Sequence, residues 1–219
     1  LIGLVGSEMC IRDSSDKDKN DSDFTGFLVQ TDYQAKQTGF IQPYADSPMD
    51  HEQVGEEVYI SMVNKAEKYC WFMTPYLIIT DEMSHALCLA AKRGVDVRII
   101  TPGIPDKKMI YNITRSFYHG LVKHGVRIYE WTPGFCHAKM SVADDCMATC
   151  GTINLDYRSL YHHFENGCFM ADCQAVLDIR NDLAATMDEC CEVTEQYSTG
   201  RSAYLRLGQL FMRLFAGLL

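Results

Sequence analysis

Tyr69-Cys-Trp-Phe-Met-Thr74, Val95-Asp-Val-Arg-Ile-Ile100 and Val126-Arg-Ile-Tyr-Glu-Trp131 are three short apolar runs, and what separates them decides the fold. Each reads as a buried strand, and Pro75 ends the first because proline cannot donate to a ladder. Before the second run, Thr80 is a candidate N-cap with Asp81 and Glu82 in the first turn, where carboxylates complement the helix dipole. Leu87, Ala90 and Ala91 then face inward until Gly94 stops the helix. Before the third run, Asp106 is the expected cap of a helix whose Ile110, Ile113, Phe117 and Leu121 keep to one stripe, with Gly125 beyond its end. Strand, helix, strand, helix, strand predicts an α/β fold with a mixed, largely parallel sheet flanked by helices.

Working outward, a short strand is expected over 39–43. A helix over 55–68 carries Val58, Met62, Val63 and Ala66 at helical spacing. Downstream, strands are expected over 136–143, 147–150 and 166–170, with a short helix over 155–161. A long helix over 174–193 turns Val176, Ile179, Leu183 and Met187 inward. The last stretch, 203–219, reads as an amphipathic helix with Leu207, Leu210, Phe211, Leu214 and Phe215 on one side. It serves either core and inter-lobe packing or contact with a membrane surface. Residues 12–23 are charged and without apolar periodicity, so 1–23 is read as a disordered tail. Its first 14 residues lack an initiating methionine and a basic leader region, and are read as translated adapter sequence joined to a truncated gene. The remaining span, 24–219, is read as one catalytic lobe.

The chemistry lies in His137-Ala-Lys139-Met-Ser-Val-Ala-Asp144 and Gly151-Thr-Ile-Asn154-Leu-Asp-Tyr-Arg158-Ser159. Side chains of an extended chain alternate faces, so His137 and Lys139 share a side. A neutral imidazole can attack phosphorus or pass a proton near pH 7, and an ammonium neutralises a non-bridging phosphate oxygen. Asn154 adds neutral donors, and Gly151 permits close backbone approach. Together they are equipment for metal-free handling of a phosphate ester.

At these residues the chain resembles the phospholipase D superfamily, whose signature is His-x-Lys-x4-Asp followed by Gly-Ser/Thr-x-Asn. Gly151 through Glu165 is similar to the second motif of bacterial cardiolipin synthases. Gln42-Pro43-Tyr44, Thr74-Pro75-Tyr76, Arg93 through Arg98, Asp106-Lys107-Lys108 and Ile128-Tyr129-Glu130 agree. The likeness runs from about residue 40 to the end and looks like the C-terminal half of such an enzyme. It implies phosphatidyl transfer between two phosphatidylglycerol molecules, giving cardiolipin and glycerol. One histidine becomes phosphorylated while a histidine of the partner motif protonates the departing oxygen. His137, Lys139 and Asp144 are then the catalytic set. His137 is either nucleophile or acid, the analogy favouring acid and base, while Asp144 orders its loop rather than touching substrate. Asn154 joins Lys139 on the non-bridging oxygens. Glu165, 28 residues past His137, is the candidate to bond the other imidazole nitrogen. Arg158 and Ser159 belong to the same run, where a salt bridge of Arg158 with Asp156 competes with substrate contact. The implied partners are phosphatidylglycerol, the membrane lipid surface, and an N-terminal lobe carrying the first motif or a second copy of this chain. The implied location is the cell membrane, with this lobe peripheral and no cofactor required.

Composition narrows the alternatives. A net charge of −9 and a pI near 5.2 disfavour nucleic acid as a partner, because binding to its backbone needs clustered cations. There is no run of about 18 apolar residues to cross a bilayer. The ten cysteines sit mainly in apolar runs and read as small buried hydrophobes in a reducing compartment; their spacing completes no metal site, and none is expected. His51, His85, His119 and His124 read as solvated, and His162 and His163 as candidates for a pocket rim. Two readings compete with the half-enzyme: a homodimeric single-motif phosphodiesterase of the superfamily, and a non-catalytic remnant that only binds.

Overall fold

The computed structural model describes residues 38–49 and 52–198. The expected tail over 1–23, the amphipathic helix over 203–219 and His51 lie outside the described residues. The elements run β1 (Phe40–Asp46), α1 (Val54–Lys65), β2 (Tyr69–Met73), β3 (Leu77–Ile78), α2 (Asp81–Lys92), β4 (Asp96–Pro102), α3 (Lys108–Val122) and β5 (Arg127–Trp131). There follow β6 (Met140–Ala143), β7 (Met147–Gly151), β8 (Leu155–Asp156), α4 (Tyr157–Tyr161), β9 (Glu165–Ala171), α5 (Gln174–Asp188), β10 (Cys190–Glu192) and α6 (Thr194–Ser198). Eight strands form one sheet in the order β1-β9-β7-β6-β2-β4-β5-β10, while β3 and β8 pair as a separate two-stranded ribbon.

The sheet is mixed, as expected, but mostly antiparallel rather than largely parallel. Only β2–β4 and β4–β5 pair in parallel, through the helical crossovers α2 and α3. The other five pairings are antiparallel. A parallel pair needs a long crossover, and no helix separates β6 from β7. They are joined by the tight turn at Asp144 and Asp145, both at positive φ (53° and 60°).

Local signals place the helices. Thr80 caps α2 by accepting from the Met83 N–H at 3.0 Å, and Gly94 follows at φ 94°. Asp106 does not cap α3: the N-cap is Lys107, with no side-chain bond. The Asp106 carboxylate is engaged one residue too early, by the Lys107 N–H and the Tyr76 hydroxyl, each at 2.6 Å. The expected helix over 155–161 gives its first two residues to β8, because Asp156 acts as N-cap to Ser159. The helix expected to reach residue 193 stops at Asp188. Its inward row ends with Met187, and Cys190–Glu192 instead covers the edge of β5.

Apolar side chains fill both faces. Tyr59, Phe72, Leu87, Ile99, Ile113 and Leu121 belong to a core beneath α1, α2 and α3, while Ile100, Val142, Ala148 and Leu183 pack under α5. Of the cysteines, Cys70 and Cys88 are buried, but Cys150 and Cys191 are exposed and the other described ones intermediate. The reading of them as mostly buried therefore holds for the first two. Among the described residues no helix is long and apolar enough to cross a membrane.

Candidate active site

One end of the sheet collects the motif residues. β2 runs out there into Thr74 and Tyr76, β7 runs out into Thr152 and Asn154, and β6 and β9 start there. The register aligns Met73 with Met140, Met140 with Cys150, and Gly151 with Gly167. Hydrogen bonding by β2 and β7 on either side of β6 therefore brings sequence-distant residues within side-chain reach. Close backbone approach is visible at Gly151, where an added Cβ would stand 2.4 Å from the Asn166 carbonyl oxygen.

His137 and Lys139 lie just before β6, which starts at Met140 rather than at residue 136. The chain there still alternates, and the two side chains meet. The Lys139 ammonium sits 2.9 Å from Nδ1 and 3.2 Å from Nε2 of His137, and donates to the His137 carbonyl at 2.8 Å. Lys139 is buried at 9% exposure while the imidazole is exposed. Desolvation first, and the ammonium second, lower the His137 pKa from its ordinary 6.5; Asp106 opposes them. Burial likewise lowers Lys139, against the upward pull of Glu165 and Asp156. The two carboxylates therefore favour the charged amine, and burial together with the amine disfavours the charged imidazole. Phe135 and Tyr76 flank the imidazole, with ring centroids at 5.9 and 6.4 Å.

The remaining residues divide. Glu165 is buried at the start of β9, but it accepts from Thr152 Oγ1 and faces His163 Nδ1 at 3.4 Å, so the expected bond to His137 is not formed. Asn154 donates its amide to Asp156 at 3.2 Å, leaving its buried Oδ1 without a partner among the described residues. Asp156 is buried, which raises its pKa, and it accepts from the Ser159 N–H at 2.7 Å. Ser159, itself buried, thus serves the Asp156 carboxylate through both backbone and side chain. Arg158 forms no salt bridge with Asp156; its Nε donates to His163 Nε2 at 2.8 Å.

Asp144 stands apart. It follows the last residue of β6, seven positions from His137, which is roughly 20 Å of extended chain. Its carboxylate accepts from the backbone N–H groups of Glu67, Lys68 and Tyr69 at 2.7 to 2.9 Å. It fastens the entry to β2 and so works on architecture. Thr152, Asp156 and Tyr76 enter the site without having been chosen from the sequence, while His163, a pocket-rim candidate, faces Glu165. Thr152 and Asp156 each lie two residues from Asn154, which was a signal; Tyr76 is placed only by folding. His119, read as solvated, bonds the Tyr197 carbonyl at 2.8 Å.

The fold and this His–Lys constellation define a phospholipase D-type lobe. Residues 59–187 match the family model described as cardiolipin synthase, PLD-like domain, and the chain belongs to that family. An uncharacterized protein of Streptococcus mutans is 47% identical over 91% of this chain and 43% of its own length. A cardiolipin synthase of Halalkalibacterium halodurans is 32% identical over 84% of this chain and 37% of its own length. The chain thus spans less than half of the curated relatives it matches. The fold is shared with Nuc, a phospholipase D family member from Salmonella typhimurium (TM-score 0.60, 15% identity, 71% of this chain and 98% of that one). It is also shared with the phosphatidylserine synthase of Haemophilus influenzae (TM-score 0.63, 16% identity, 82% and 47%).

Proposed function

We propose that this chain is the C-terminal lobe of a cardiolipin synthase. Paired with a lobe carrying the first motif, it transfers a phosphatidyl group between two phosphatidylglycerol molecules, releasing glycerol. The observation that carries this reading is the buried Lys139 ammonium 2.9 Å from the imidazole of His137, in a chain whose family and named relatives are cardiolipin synthases.

A single phosphodiester exchange needs two imidazoles, one on each side of phosphorus. The histidine of the first lobe attacks and His137 hands a proton to the departing glycerol oxygen, then takes one from the incoming hydroxyl. Lys139 adds to burial in favouring the neutral ring. A bound phosphodiester neutralises that ammonium and lets the ring hold the proton it must deliver. Lys139 and the amide of Asn154 stabilise charge on the non-bridging oxygens of the pentacoordinate transition state. Glu165 acts through Lys139, favouring its charged form, and through Thr152. Ser159 fixes the Asp156 cap, and Asp144 holds the strand that presents the motif. The lobe works peripherally at the cell membrane, where its lipid substrate lies, without nucleic acid as a partner and without a cofactor.

The homodimer reading has one observation in its favour: in the Nuc structure a single lobe makes up 98% of the matched chain, so one lobe of this fold can stand as a chain. Turnover of phosphatidylglycerol by the purified chain, alone and with a first lobe from a cardiolipin synthase, separates the two. The expected result is no turnover alone, cardiolipin formation by the pair, and a loss of at least ~10³-fold on His137→Ala. A loss below tenfold removes His137 from the reaction. Turnover by the chain alone, abolished by His137→Ala, replaces the half-enzyme with the homodimer.

A further inference from the structure

Tyr76, whose ring neighbours that of His137, also bounds a small cleft of about 50 Å³ together with Lys107, Asp156 and Arg158, and the transfer chemistry above leaves this cleft unassigned. Its floor is the β3–β8 ribbon, where Ile78 pairs with Asp156. The ribbon is pinned by the Leu77 N–H on Thr114 Oγ1 at 3.2 Å and the Leu155 N–H on Thr74 Oγ1 at 3.1 Å. On one wall the Tyr76 hydroxyl is tied to Asp106 at 2.6 Å, and that ring lies 6.4 Å, centroid to centroid, from the His137 ring.

The charges on the walls are uneven. In a chain of net charge −9, no hydrogen bond or ion pair among the described residues takes the Lys107 ammonium. Arg158 spends only its Nε, on His163, leaving its terminal nitrogens open. Two cations therefore border one cleft with their charge unspent. Asp156, lining the same cleft, is held by Ser159 and Asn154 and offers an acceptor suited to hydroxyl groups. Ile78 and Ile110 add apolar lining to the cleft itself. Ile104 and Met109 flank Lys107 in sequence, and Phe135 lies beside His137; they are 44%, 54% and 39% exposed. Cations, a hydroxyl acceptor and apolar lining are together complementary to one class of ligand: a phospholipid whose phosphate carries a polyol.

We propose that this cleft is the acceptor subsite, in which Lys107 and Arg158 hold the phosphate of the second phospholipid and Asp156 its glycerol hydroxyls. The terminal hydroxyl then faces the phosphorus beside His137. That oxygen forms the new O–P bond as the P–N bond to the first lobe's histidine breaks, and its proton passes to His137. This rests on the transferase reading, and its consequence is a choice of acceptor. With the subsite damaged, water takes the place of the lipid hydroxyl, and phosphatidate replaces cardiolipin.

Two measurements test it, using Lys107→Gln, Arg158→Gln and the double variant. In the lobe-paired enzyme, the ratio of cardiolipin to phosphatidate should fall at least tenfold in the double variant, while total phosphatidylglycerol consumption falls much less. An unchanged ratio overturns the subsite. In the isotope-labelled chain alone, glycerophosphoglycerol should shift the amide signals of Tyr76, Lys107 and Arg158 at lower concentration than inorganic phosphate does, and the double variant should lose the response. A response to both anions at the same concentration, or one that survives the double variant, overturns it as well. If binding behaves as expected but the paired wild type makes no cardiolipin, the transferase reading fails and the headgroup site stands.

Discussion

The Lys139 ammonium and the His137 imidazole share one small volume, and each sets the other's charge. Protonating the ring beside a fixed cation is unfavourable, and burial adds to that cost, so the pKa lies below 6.5. Lys139→Met removes the cation but not the burial. The His137 midpoint, followed by the ring-proton signals in NMR, should move upward without fully recovering the ordinary value. A stationary midpoint would mean the two groups do not interact. The same substitution in the paired enzyme should slow cardiolipin formation by about 10²-fold, the scale of losing one charge-stabilising donor. At this scale His137, Lys139 and Asn154 were legible, because spacing along an extended strand dictates facing. Tyr76 was not, because it reaches the imidazole from another part of the chain.

Elements are closed by contacts the sequence pattern does not announce. β10 is three residues long, too short to hold by its ladder alone. Arg127 clasps Glu192 through two nitrogens at 3.0 and 2.8 Å, while the Val193 N–H donates to the Ile128 carbonyl at 3.0 Å. The Arg127 bonds lower the Glu192 pKa from 4.5 to about 2. A carboxylate with a depressed folded pKa contributes stability above its unfolded value and loses it as pH falls through the folded one. Glu192→Gln should therefore cost about 0.5–1 kcal/mol at pH 7 in urea unfolding, a partly exposed ion pair being screened. That difference should shrink between pH 4.5 and 2 and vanish below. A pH-independent difference would assign the loss to packing. The helices α2 and α3 were readable from their apolar stripes. The end of α5 and the strand β10 were not, because an exposed sheet edge recruits whatever short segment follows.

Across the whole molecule, β2, β6 and β4 lie inside the eight-stranded sheet and β1 and β10 at its edges. Amide exchange should be slowest in β4, whose Val97 and Ile99 are fully buried, and at least about tenfold faster at the two edge strands. Equal protection throughout would show that the sheet opens only as one unit. The site hangs on this order, since it assembles where β2, β6, β7 and β9 come to one end. The chain's own pattern determined that strands and helices alternate through 69–131, and that an imidazole, an ammonium and an amide serve one chemistry. Both follow from short-range geometry, the period of a strand and the stripe of a helix. Strand direction beyond β5, the distance of Asp144 from the imidazole, the pairing of Glu165 with Thr152 and the acceptor cleft were decided by tertiary structure. They depend on which strands hydrogen-bond across the sheet, and that is settled by burying both faces at once rather than by any local signal.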